Sequence, residues 1–327
     1  MNLTELNQTD RCLLFSCPER SVSFAVYVFF YACAAVVVFL TVCGNMLVII
    51  SVCHFKQLHT PTNMLILSLA MSDFLVGLFV LPFQLSRLTE SCWVFGSVLC
   101  IVYIFISFFV TSISIYNVAL IAVDRYFAIS NPFLYTEVVS VNTACVAVSF
   151  NWIVLMSYNT SVLYFNGTYA GLIMCPEECV FVLQEVWSVI DLLFAFVIPC
   201  STIIIFYGLV FIIAKKHANA IRDLNNQTKT EASKKKSDSM KSERKAASVL
   251  SILVAVFLAC IFPYFLCALV SNAIETTVFE KLVILLYLNS SVNPVIYALF
   301  YPWFRKCIKI ILTLQIFRMD SALITVH

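Results

Sequence analysis

Four ionisable side chains interrupt stretches that are otherwise apolar. Asp73 sits in LSLAMSDFLVG, Asp124 and Arg125 close a long apolar run, and Asp191 lies in VWSVIDLLFAF. A charge in apolar surroundings is costly, so each is a functional candidate that needs a partner. The chemistry open to an isolated carboxylate is to hold a cation: a metal ion or a protonated amine. Neutral readings stand beside that one. Asp191 can be protonated or hydrogen-bonded to a neighbouring helix, Asp73 can belong to a watered polar network, and Arg125 can be a surface cation at a helix end. The four histidines, His54, His59, His217 and His327, show no metal-ligand spacing, and no nucleophile–base pair appears, which argues against an enzyme. No cofactor is required by this pattern.

The elements that position these groups follow from composition. Of 327 residues, 61% are hydrophobic and 12% charged, against about 45–50% and 25% in soluble domains. With a mean hydropathy of +0.95, lipid must solvate most of the chain. A net charge of +2 disfavours a nucleic-acid partner. Seven apolar runs, 23–53, 62–87, 97–124, 141–164, 184–214, 247–272 and 280–300, are long enough to span a bilayer as helices, which needs about 20 residues each. The expected fold is an all-α membrane protein, a seven-helix bundle over 23–300. A tail over 1–22 precedes it, and an amphipathic helix with a tail over 301–327 follows. The start lacks the pattern of a cleavable signal peptide, so the first helix is expected to direct insertion.

Ten Lys/Arg fall between Lys215 and Lys245, and none between Tyr126 and Ala214. The positive-inside rule then sets the N-terminus outside and the C-terminus inside. In that topology the sequons at Asn2, Asn7 and Asn166 are accessible to glycosylation, Asn159 lies close to the bilayer, and the Asn226 sequon stays bare. No internal repeat of the transporter kind is present.

Read in order, the helices resemble the rhodopsin-like G-protein-coupled receptors over nearly the whole chain. Gly44–Asn45 falls in helix one, Asp73 ends an LxxxD in helix two, and Asp124–Arg125–Tyr126 closes helix three. Trp152 lies in helix four and Pro199 in helix five, FxxCxxP runs from Phe257 through Cys260 to Pro263, and NPxxY runs from Asn293 through Pro294 to Tyr297. The stretch Asn289–Lys306, with Tyr301, Trp303 and Phe304, is similar to the trace amine-associated receptors. That resemblance implies a plasma-membrane receptor, of olfactory type, for small amines, coupled to a heterotrimeric G protein of the stimulatory kind. Arg125 would hold Glu243 of helix six at rest and engage the G protein when helix six swings out. Asp73, Ser114, Asn289 and Asn293 would form an allosteric sodium site. Pro263 and Pro294 permit kinks by removing backbone donors.

The chain departs from the family at two places. Most amine receptors carry an aspartate eighteen residues before the Arg125 position, where this chain has Ser107. Asp191, eight residues before Pro199 on helix five, is the expected replacement, as in the branch of the family whose amine pairs there. Phe108, Thr111, Tyr264, Phe265 and Tyr287 are expected to complete the chamber, and Glu185 is expected to be solvated, its other reading being a partner for a second ammonium. The second departure is Ile261, which stands where the family often has tryptophan.

Six cysteines lie on or near the outer side: Cys12, Cys17, Cys92, Cys100, Cys175 and Cys179. Spacing alone leaves fifteen pairings open. The resemblance implies Cys100 with Cys179, and Cys17 (less readily Cys12) with Cys175, leaving Cys92 free. Cys307, in the run after YPWF, is as compatible with acylation as with an unmodified thiol. Two other readings remain at this level: a receptor for a non-amine odorant with a structural Asp191, and, more remotely, a transporter or channel.

Overall fold

In a computed structural model of the protein, the described residues are 23–90, 92–170, 179, 181, 183–227, 249–267, 276–317 and 321–323. Among them seven helices are long and apolar enough to cross a membrane: α1 (Phe24–His54), α2 (Pro61–Glu90), α3 (Gly96–Ser130), α4 (Val141–Asn166), α5 (Glu185–Lys216), α6 (Val249–Cys267) and α7 (Glu280–Phe300). A short helix, α8 (Pro302–Leu312), follows. Expected and observed limits differ by a few residues, most at α3, whose helix continues beyond its apolar run to Ser130.

Local chemistry sets several ends. Thr60 caps α2 by accepting from the Asn63 N–H at 3.3 Å, with Pro61 at the first helical position, where its missing N–H costs nothing. Gly96 opens α3 at φ +78, a left-handed conformation that suits glycine. Asn131 caps a two-turn helix, Pro132–Val138, through Leu134 N–H.

Helices α2 and α3 are the most buried, and α1 and α4 lie at the periphery. α3 packs against α2, α4 and α5. Large apolar side chains such as Phe39, Phe150, Ile205 and Phe211 face outward, as a lipid-solvated surface requires. Inside, polar ties replace a hydrophobic drive between helices. Trp152 Nε1 donates to Ser68 Oγ at 2.9 Å, and Ser68 donates to Asn117 Oδ1 at 2.9 Å, joining α4, α2 and α3. Asn45 Nδ2 reaches Ser290 O at 3.0 Å, joining α1 to α7.

Two spans contain a wide π turn, Val76–Val80 in α2 and Leu192–Val197 in α5. Each is followed by one residue and then a proline, Leu81–Pro82 and Ile198–Pro199. In α5 the Ile198 N–H bonds Leu193 O. The Phe194 carbonyl is thereby left without a backbone donor, because Pro199 has no N–H. The Tyr116 phenol of α3 supplies the missing bond to Phe194 O at 2.8 Å. The bulge thus ties α5 to α3 immediately beyond Asp191.

Candidate ligand site and switch

Asp191 is half-buried on α5. Its Oδ1 accepts from the Tyr158 phenol of α4 at 3.0 Å. Among the described residues no cationic side chain lies within ion-pair distance of this carboxylate. Tyr158 also lies against Phe194, with ring centroids 4.3 Å apart. Tyr264 of α6 is half-buried and meets Phe265 edge to face at 5.1 Å. Phe265 is buried and stacks on Phe196 at 4.2 Å, so it packs the wall behind Tyr264. Glu185 is exposed at the first turn of α5.

The α3 side is hydroxylic. Ser107 is buried, and its Oγ faces the phenols of Tyr103 and Tyr287 without closing a sound hydrogen bond to either. Tyr287 also faces Thr111, and Tyr103 donates to Gln84 of α2. Phe108 meets Phe181 of the outer loop edge to face at 5.7 Å. Above this cluster Arg87 at the end of α2 bonds the Cys179 carbonyl at 3.0 Å and pairs with Glu280 of α7 at 3.2 Å. Two small cavities flank α3. One, of about 10 Å³, is lined by Thr111, Ser114, Phe257, Ile261, Tyr287 and Asn289 among others. The second, also about 10 Å³, includes Phe105, Phe108, Asn159 and Phe181. Asp191 lines neither.

Asp73 is wholly buried at the centre of the bundle. Ser290 Oγ donates to its Oδ1 at 2.8 Å, and Asn293 Nδ2 to its Oδ2 at 2.6 Å. Ser114 faces the same carboxylate. The side-chain oxygens of Asn289 and Asn293 are buried with no hydrogen-bond partner. A buried carboxylate beside two unsatisfied acceptors fits a cation with oxygen ligands. One carboxylate among neutral oxygens is the donor set of a weakly held monovalent ion rather than of zinc, and no cluster of three His/Cys/Asp/Glu occurs among the described residues.

At the inner end, Arg125 pairs with Asp124 at 2.6 Å and donates to Thr62. Asp124 also accepts from Thr62 at 2.8 Å and from Tyr135 at 2.6 Å. Tyr126 packs edge to face on Phe206 of α5 at 5.2 Å. The phenols of Tyr207 and Tyr297 are buried without a hydrogen-bond partner. Pro294 sits inside α7, directly against Gly44 of α1. Phe257 is fully buried beside Ile261, two turns from Pro263.

A family model described as 7 transmembrane receptor (rhodopsin family) matches residues 44–297. Trace amine-associated receptor 13c of Danio rerio is 38% identical over 279 residues, covering 82% of this chain and 81% of its own length. Trace amine-associated receptor 7e of Mus musculus is 39% identical, covering 82% and 78%. Trace amine-associated receptor 1 of Macaca mulatta is 35% identical, covering 82% and 83%. The chain belongs to the trace amine-associated receptors. Its relatives are receptors and not enzymes.

The Cys100–Cys179 disulfide of the receptor is present, with Cα atoms 5.6 Å apart, and it ties α3 to the segment between α4 and α5. Cys92 is not free, as had been expected, but disulfide-bonded. Cys17, Cys175, Asn2, Asn7 and Glu243 lie outside the described residues. Asn166 is buried, and its Oδ1 accepts from the Gln184 N–H at 2.9 Å. Cys307 is buried against the bundle with its thiol pushed up to about 11 by burial.

Several site residues carry no signal in sequence. Tyr158 as the partner of Asp191, Ser290 as a donor to Asp73, and the Arg87–Glu280 pair are brought together only by helix packing. Tyr158 and Arg87 each look like ordinary residues near a helix end.

Proposed function

We propose that the receptor senses small amines and that the ligand's ammonium pairs with Asp191. The observation that carries this reading is the isolation of that carboxylate. It lies within a membrane span, has a neutral phenol as its hydrogen-bond partner, and has no cation beside it among the described residues. Desolvating an unpaired carboxylate is costly, and an ammonium entering the chamber removes that cost through a charge-assisted hydrogen bond. The ring of Tyr158 beside the carboxylate favours a cation by about 0.5–2 kcal/mol. The names of the relatives, trace amine-associated receptors, support the ligand class.

Binding that favours one arrangement of the bundle over another shifts its population. In this reading α6 moves outward at the inner face, Arg125 is released from its contacts there, and a heterotrimeric G protein of the stimulatory type docks. Asp73, Ser114, Asn289 and Asn293 hold an allosteric sodium ion that stabilises the resting arrangement, with Ser290 as a further partner. The distribution of Lys/Arg supports a plasma-membrane orientation with the N-terminus outside, and the family supports an olfactory role.

A second reading has one specific observation behind it. The Tyr158–Asp191 bond, and the absence of Asp191 from both small cavities, would suit a structural carboxylate in a receptor for a neutral odorant. A second-messenger assay with a panel of amines and neutral odorants separates the two. The amine reading expects responses to amines that vanish in Asp191→Asn at matched surface level. A full response in that variant refutes it.

A further inference from the structure

Two registers are open to the middle of α5, and Pro199 leaves one carbonyl unserved in each. In the observed wide turn, Leu192–Val197, the Ile198 N–H bonds Leu193 O, and the carbonyl left over is that of Phe194. In a regular helix the Ile198 N–H would bond Phe194 O, four residues back. The carbonyl left over would then be that of Ala195, four residues before the proline. Inside a membrane span an orphaned carbonyl is costly, so the register whose orphan finds a donor is favoured.

That donor is Tyr116. Its phenol reaches across from α3 to Phe194 O at 2.8 Å, and its ring lies 5.4 Å from the ring of Phe194. Successive carbonyls point about 100° apart around a helix, so a hydroxyl aimed at Phe194 O is not aimed at Ala195 O. Tyr116 therefore serves the wide turn and not the regular one.

Asp191 is the residue immediately before the wide turn. A π turn closes its bonds one residue further along than an α turn. Relaxing it to regular helix rotates whatever precedes it by one residue, roughly 100° about the α5 axis. The segment before it, Glu185–Asp191, is two turns long and has no buried residue, whereas the segment after it packs against α3. The outer segment is thus the part that turns. Such a turn carries the Asp191 carboxylate away from the Tyr158 phenol, which it now meets at 3.0 Å.

We infer that Tyr116 is a positioning residue for ligand binding: its hydroxyl holds α5 in the wide-turn register and so aims the Asp191 carboxylate. The inference rests on the amine reading and deepens it, because Tyr116 acts on the ammonium only through Asp191. The apparent affinity of the ammonium scales with the fraction of receptors whose carboxylate is correctly aimed.

The test measures, on the full-length receptor in membranes, the affinities of an n-alkylamine and of the alcohol with the same carbon skeleton. Their ratio reads the ion pair, because a loss of folded receptor lowers the number of sites and leaves the ratio alone. Tyr116→Phe keeps the ring and removes the donor. The ratio is expected to fall by about 2–10-fold, the worth of one hydrogen bond, through loss of amine affinity. Ser112→Ala is the control: it deletes another α3 hydroxyl, one bonded to Phe108 O of its own helix at 2.8 Å, and the ratio should not move. A ratio in Tyr116→Phe equal to that of the unaltered receptor, or an equal fall in Ser112→Ala, would overturn the inference. The amine reading itself fails in a different arm, by an amine advantage that survives Asp191→Asn.

Discussion

Replacing Gly44 with alanine sets a methyl group against the ring of Pro294. The added Cβ would lie 2.8 Å from Pro294 Cβ and 3.0 Å from its Cγ, well inside the optimal carbon–carbon separation of about 3.5–4.0 Å. Both atoms belong to a rigid ring, so no rotamer change relieves the contact and α1 and α7 must part. Overpacking of this kind costs about 1–3 kcal/mol. The better helix propensity of alanine returns up to about 1 kcal/mol. Gly208 of α5 is the matched control, since an added Cβ there meets nothing within 4 Å. Gly208→Ala is therefore expected to gain the propensity term alone, and the two variants should differ by about 1–3 kcal/mol. Thermal unfolding of the purified receptor in detergent reads this difference as a separation of several degrees, with Gly44→Ala the less stable. Parting α1 from α7 also strains the Asn45–Ser290 bond and the Asn293–Asp73 bond on the same stretch of α7, so Gly44→Ala should shift basal signalling as well. If Gly44→Ala is as stabilising as Gly208→Ala, the close packing of the two helices is refuted.

Asp73→Asn removes the only charge among the proposed sodium ligands. Agonist affinity in membranes should then become insensitive to exchange of sodium for a bulky organic cation, while the unaltered receptor responds; equal sensitivity in both would sink the ion site. Ile261 is 2% exposed beside a cavity of about 10 Å³, roughly room for one water. An indole cannot enter without moving α6 or Phe257, so Ile261→Trp is expected to change basal signalling and to cost about 1–3 kcal/mol of stability. An unaltered basal level would count against a switch role for this position. Tyr158→Phe deletes the hydrogen bond to Asp191. Where that phenol must yield its place to the ammonium, amine potency rises by up to about 10-fold, the worth of one such bond; a large loss of potency would mean instead that Tyr158 stays bonded while the ligand is held.

The bundle was legible from sequence because span length and apolarity are local properties. Even α4, softened by Asn142, Asn151 and Asn159, forms a span, since two of those amides turn inward: Asn151 and Asn159 are both buried. Asp73, Arg125 and Asp191 also stood out locally, as charges in apolar text. What escaped depends on the rotation of one helix against another. Tyr158 reads as one more aromatic in α4 until α5 bulges toward it. Ser290 hides in a run of serines, NSSVN, where only packing selects the residue that meets Asp73. The sequon at Asn166 says nothing about burial, and in place of a loop the chain there continues α4. The π turns were readable in part: Leu81–Pro82 and Ile198–Pro199 each mark where a carbonyl loses its backbone donor, and the compensating Tyr116 lies on a different helix.

Charge pairing at Asp191 is tested most directly by a double-mutant cycle on the ligand itself. The affinities of an alkylamine and of the alcohol with the same carbon skeleton are measured on the purified receptor and on Asp191→Asn. Charge pairing gives a coupling of at least about 2 kcal/mol, roughly 30-fold, with the amine's advantage confined to the unaltered receptor. An advantage of the amine that is the same in both proteins would contradict it.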